Sequence, residues 1–162
     1  MKEIVVILHN IRSLHNVGSI FRTADAAGVS KIYLAGITPA PVDRFGKIRP
    51  QLAKVSLGAE KSVPWEAVKS SAESRLIKKL KSDGFRILAV EQSEKSIQYH
   101  KLEVNGSRLK VAVIMGNEVK GLPKNILKIS DEILEIPMRG RKESLNVSVA
   151  FGIVIFGLLY KK

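Results

Sequence analysis

Five short apolar runs divide the chain: residues 3–8 (EIVVIL), 31–36 (KIYLAG), 85–90 (FRILAV), 110–116 (KVAVIMG) and 133–136 (ILEI). Each is too short, and most are too rich in β-branched residues, for a good helix, so the pattern predicts strands. Between them the period changes. Residues 17–29 (VGSIFRTADAAGV) have helical character and a stop at Gly28, and Trp65, Val68, Ala72, Leu76 and Leu80 recur at helical spacing until Asp83-Gly84. Residues 147–160 are almost unbroken apolar sequence, which predicts a buried helix because a bilayer span needs about 20 residues. Residues 39–63 hold Pro39, Pro41, Pro50, Gly46 and Gly58, and read as one long loop, a feature usually functional or mobile. Strands alternating with helices predict an α/β fold with a mostly parallel sheet and helices on both faces. With no internal repeat or linker, residues 1–162 are expected to form one domain.

Composition narrows the partners. A formal net charge of +12 on 162 residues favours a polyanion, either nucleic acid or an anionic membrane. A membrane-surface helix would carry charge along one face, and residues 147–160 carry none, so no membrane partner is expected. The absence of cysteine removes disulfides, a thiolate zinc site and a cysteine nucleophile, and suits a cytoplasmic protein. His9, His15 and His100 have no spacing that nominates a metal site or a triad, and no G-x-S-x-G elbow occurs, so neither metal nor serine hydrolysis is expected.

Ligands in parallel sheets sit beyond the carboxyl ends of the strands, which directs attention to the loops leaving Leu8, Met115 and Ile136. In the first, Asn16 either caps a helix starting at Val17 or faces the pocket, and Arg22 either makes a phosphate-binding corner with the helix amides or pairs with Asp25. In the second (MGNEVKGLP), Gly116 and Gly121 have P-loop spacing, but Leu122-Pro123 replace the required Lys-Ser/Thr, so a nucleoside triphosphate is disfavoured. Glu118 there is either a solvated turn residue or a carboxylate that holds a cationic or hydroxyl group, or orients Arg22. In the third (PMRGRKESLNVSVA), Ser144 is placed as an N-cap with Asn146 in the first helical turn, where an amide offers donor and acceptor to the pocket.

Taken together, NVGSIFRTADAAGV, IMGNEVKGLP and IPMRGRKESLNVSVAFGI resemble, in order and spacing, the three signature motifs of the SpoU/TrmH family of SPOUT RNA 2′-O-ribose methyltransferases. The resemblance runs over essentially the whole chain and is to the minimal, catalytic-domain-only kind. It implies a C-terminal deep trefoil knot, which periodicity does not reveal and general topology rules would disfavour. It further implies a homodimer and S-adenosylmethionine as methyl donor, touched near Val90, Gly116, Ile136, Met138 and Leu145. The catalytic positions implied are Asn16, Arg22, Glu118, Ser144 and Asn146.

On this resemblance Arg22 clamps an RNA phosphate and eases ionisation of the 2′-hydroxyl, held by Glu118 and Asn16, while Ser144 and Asn146 hold the ribose and its phosphate. Arg44, Lys47, Arg49, Lys54, Arg139, Arg141 and Lys142 are expected to grip the RNA backbone, a salt-sensitive contribution without sequence choice. tRNA is the leading substrate, with rRNA next. The rival from another class, a non-catalytic RNA-binding protein of the same fold, predicts loss of the polar motif residues, all of which are present.

Overall fold

The structure is a computed structural model that describes residues 2–103 and 109–160. Its strands are β1 (Lys2–His9), β2 (Lys31–Ala35), β3 (Trp65–Val68), β4 (Arg86–Val90), β5 (Ile97–Gln98), β6 (Leu109–Met115) and β7 (Glu132–Glu135). The helices are α1 (Leu14–Ala26), α2 (Pro50–Ser56), α3 (Ala59–Ser62), α4 (Ser70–Ser82), α5 (Lys124–Ile129) and α6 (Val147–Leu159), with a 3-10 turn at Tyr99–Lys101. All seven strands lie in one sheet, ordered β3-β2-β1-β6-β4-β7-β5, and every neighbouring pair is parallel.

Alternation along β1 explains the layers. Ile4, Val6 and Leu8 join Val17, Ile20 and Phe21 of α1, Leu52 of α2, and Phe151, Val154 and Ile155 of α6 in one core. Val5 and Ile7 face the other way, onto Ile77 and Leu80 of α4 and Ile126 of α5. A parallel sheet covered on both faces needs apolar residues at consecutive positions, which is why these strands read as unbroken runs.

Two expectations change. Trp65 and Val68 share helical spacing with Ala72, Leu76 and Leu80, yet Trp65–Val68 is the edge strand β3, paired with β2. Pro64 precedes it, and the helix begins only at Ser70. Residues 39–63 are not one loop: α2 starts with Pro50 in its first turn and buries Leu52, and buried Ser56 donates to Glu60 of α3 at 2.5 Å. Helix α5, after Pro123, and the two-residue strand β5 were not anticipated.

The register brings the predicted loops to one edge. Leu8 pairs with Leu34 and Met115, Met115 with Val90, and Val90 with Leu134. Chain segments leaving β1, β4, β6 and β7 therefore emerge side by side at the carboxyl end of the sheet.

Candidate active site

Helix α1 starts earlier than its sequence suggests. Ser13 is its N-cap and accepts from the Asn16 backbone N–H at 3.2 Å, so Asn16 is not the cap. Its side chain is instead freed for tertiary contacts and is 93% buried, with 7% of its surface exposed. The loop after β6 is closed by Asn117, whose Oδ1 accepts from Val119 and Lys120 N–H at 3.0 and 2.9 Å and whose amide donates to Asn10 O at 2.7 Å. Glu118 at the tip accepts from Arg12 N–H at 3.1 Å, Ser13 N–H at 3.2 Å and the Asn16 amide at 3.1 Å.

The Asn16 Oδ1 in turn accepts from the Asn146 amide at 3.0 Å. Asn146, not Ser144, is the N-cap of α6, its Oδ1 accepting from Ser148 N–H at 2.9 Å. An asparagine satisfies both duties because its oxygen caps while its amide remains available. The three polar loops are thus joined by one relay, Glu118 to Asn16 to Asn146. Burial alone would raise the Glu118 carboxyl, but hydrogen bonds from its own N–H, from Arg12 N–H, the Asn16 amide and Ser13 N–H outweigh it and hold the group below the ordinary carboxylate range.

The relay forms one wall of a cleft of about 530 Å³. Val90, Gly116, Ile136, Met138 and Leu145, the five positions expected around a cofactor, all line it, together with Asn16, Glu118, Ser144 and Asn146. A side chain on Gly116 would place its Cβ 2.8 Å from the Gly121 carbonyl carbon, so the loop can fold onto the end of β6 only with glycine there. Glu91, not singled out in the sequence, also lines the cleft, and its carboxylate accepts from Leu122 N–H at 2.8 Å. A carboxylate immediately after a central strand was the signal available for it.

Arg22 lies elsewhere. It lines a second cleft, between α1 and α2, with Arg12, His15, Gln51 and Lys54. Glu118 and Asn16 do not bond its side chain, because they are engaged with the α1 entry and Asn146. Nor does Asp25 pair with it: Asp25 accepts from Ser62 of α3 at 2.6 Å, and among the described residues the Arg22 side chain has no hydrogen bond or ion pair. Arg12 connects the two clefts, its N–H on Glu118 while it borders the basic one. Arg44, Lys47 and Lys54 are exposed, as are Arg139, Arg141 and Lys142, whereas Arg49 is half-buried.

Residues 3–156 match the SpoU rRNA Methylase family. The chain belongs to this family. The SpoU chain is 34% identical over 155 residues to a tRNA (guanosine(18)-2'-O)-methyltransferase of Aquifex aeolicus, covering 96% of this chain and 68% of that protein. It is 34% identical over 152 residues to a 23S rRNA (guanosine-2'-O-)-methyltransferase of Neisseria meningitidis, covering 94% and 56% respectively. The crystal structure of an AdoMet-bound rRNA methyltransferase from Sinorhizobium meliloti superposes with a TM-score of 0.83 at 30% identity, over 96% of this SpoU chain and 55% of that one. This chain therefore spans little more than half the length of two of these relatives.

Proposed function

We propose that the chain transfers a methyl group from S-adenosylmethionine to a ribose 2′-hydroxyl of RNA, either tRNA or rRNA. The observation that carries the reading is the Glu118–Asn16–Asn146 relay at the rim of the 530 Å³ cleft. It joins three loops distant in sequence around one space of small-molecule size. The relatives' names supply the two RNA classes.

The residues fit the donor. Met115, Leu134, Ile136, Met138 and Leu145 offer apolar surface for a purine, and Glu91, Glu118 and Glu135 set carboxylates along a cleft that would take a cationic group. Val90, Gly116, Ile136, Met138 and Leu145 would hold it. When bound, S-adenosylmethionine supplies an electrophilic methyl on a sulfonium sulfur.

The chain's own part is to align the acceptor and to lower the cost of ionising its hydroxyl. Alignment of two bound reactants supplies roughly 7–11 kcal/mol in favourable systems. Ser144, whose hydroxyl makes no hydrogen bond among the described residues, and Asn146 face the ribose from the cleft wall. Arg22 is a fixed cation, so it serves as a clamp on the RNA phosphate and an electrostatic stabiliser of the developing alkoxide, and the hydroxyl's proton leaves to that phosphate or to water as the new carbon–oxygen bond replaces the donor's carbon–sulfur bond. Glu118 acts on loop geometry: by collecting Arg12 and Ser13 N–H groups it holds the α1 entry against the β6 loop. Its role is therefore positioning, a revision of the expected grip on Arg22.

The reading includes a homodimer working in the cytoplasm and one catalytic domain. Helix α6 supports the dimer, because it is apolar on all sides yet leaves Val149 half exposed. It also includes the trefoil knot, supported by the order of assembly: β6 is inserted between β1 and β4, and β7 between β4 and β5, each after its neighbours in the chain. Incubation with labelled S-adenosylmethionine and total tRNA or rRNA, followed by nucleoside mapping, should place label on a ribose 2′-oxygen. Label on a base, or none on either RNA, overturns the proposal.

A further inference from the structure

Residues 41–49 form a small hairpin that carries an aromatic ring into solvent. Val42 and Ile48 make an antiparallel bridge, Asp43 N–H donates to Lys47 O at 2.8 Å, and Arg49 N–H donates to Pro41 O at 2.9 Å. Inside the turn, Asp43 Oδ1 accepts from Phe45 N–H at 2.8 Å and from Lys47 N–H at 3.0 Å, and Gly46 takes the left-handed conformation at φ +77°. The backbone is therefore fixed at its tip, although Phe45 is mostly in solvent, with 71% of its surface exposed. The Arg44 guanidinium sits over the ring, 4.7 Å from its centroid.

A fixed turn that displays a phenyl ring backed by a guanidinium and flanked by Lys47 is poorly explained by folding, since exposing the ring contributes no core burial. It has the chemistry of a stacking platform for a nucleobase, with π-surface on one side and cations for the backbone on the other. Its position suits this. The hairpin leads directly into α2, whose Gln51 and Lys54 line the basic cleft with Arg22, and six residues of chain keep Phe45 within about 20 Å of Gln51. We infer that Phe45, backed by Arg44, stacks an unpaired base of the RNA whose phosphate occupies the basic cleft. The inference rests on the RNA reading above and narrows its substrate class: the bound RNA is single-stranded next to the modified nucleotide, because a base inside a duplex has both faces covered by its stacked neighbours.

The test uses the full chain and binding alone, so it stands apart from methyl transfer. The probes are a short oligoribonucleotide carrying 2-aminopurine and the same strand annealed to its complement. The single strand should bind with quenching of the fluorophore. Phe45→Ala should weaken that binding about tenfold, abolish the quenching and leave the duplex affinity unchanged. The salt dependence should keep its slope, since no phosphate contact is removed. Phe45→Trp should restore affinity and quenching. Unchanged single-strand binding by Phe45→Ala, an equal loss on single strand and duplex, or a fall in sedimentation coefficient showing that the ring contacts protein would overturn the stacking role while leaving the RNA reading intact. If the wild-type chain binds neither probe, the RNA reading falls and this inference with it.

Discussion

Glu118 lines the cleft as its loop suggested, yet its carboxylate bonds the α1 entry and Asn16 rather than Arg22. Its loop and its carboxylate were legible, because a glycine-lined turn without the Lys-Ser/Thr of a phosphate loop leaves a carboxylate facing a pocket. Its partners were not, because backbone N–H groups of Arg12 and Ser13 have no sequence signature. The folded state holds this carboxyl below the ordinary carboxylate value of 4.5, so its stabilising contribution is fully present above that pH and is lost as pH falls through the lowered folded value. Denaturant titrations from neutral to acid pH should show wild type losing stability relative to Glu118→Gln below about pH 4.5; parallel acid profiles would contradict the relay. Arg22 makes the complementary case. In the proposed reaction Arg22 stabilises charge from outside the cleft assigned to the donor, so Arg22→Ala should lower methyl transfer by about a hundredfold or more while keeping S-adenosylmethionine affinity within about threefold. Calorimetric titration of the donor beside a single-turnover assay separates the two, and full activity in the variant would remove Arg22 from the chemistry.

At the scale of elements, the approach of α2 to α1 governs where the basic cleft forms. A Cβ on Gly18 would lie 2.8 Å from the Leu52 backbone carbonyl, a contact that no rotamer change relieves. Gly18→Ala should therefore cost about 1–3 kcal/mol through overpacking and weaken RNA binding, by displacing Gln51 and Lys54, more than donor binding. A melting curve paired with the two binding assays checks it, and an unshifted melting temperature would show that α2 moves freely. The long amphipathic and fully apolar elements were readable because burial imposes a period on them. Helix α2, seven residues after a proline-rich stretch, is too short to show one, and it forms through packing of Leu52 against α1. Trp65 and Val68 misled for the opposite reason: their spacing coincided with that of α4 although their backbone groups pair with β2. The capping positions were off by two or three residues because Ser13 and Asn146 compete with equally good neighbours, and tertiary contacts decide between them.

For the whole molecule, the alternation of strands and helices predicted the parallel two-faced sheet, whereas strand order was beyond it: pairing β6 between β1 and β4 depends on contacts far apart in sequence. The same limit applies to assembly. Helix α6 is uniformly apolar, so sequence alone indicates burial on more than one side, and the fold shows how much of that burial a single chain provides. Phe151, Val154, Ile155 and Leu158 are buried against the sheet and α1, while Val149 remains 51% exposed and Ile153 and Phe156 only partly covered. A second copy packed on this side of α6 would remove that surface from water. Sedimentation at micromolar concentration should therefore give a dimer, and Val149→Glu should give a monomer with an unchanged circular dichroism spectrum. A charge placed at a solvent position normally changes stability by no more than about 0.5 kcal/mol, so dissociation without unfolding would locate the contact on α6. A wild-type monomer, or a Val149→Glu dimer as tight as wild type, would put the interface elsewhere or remove it.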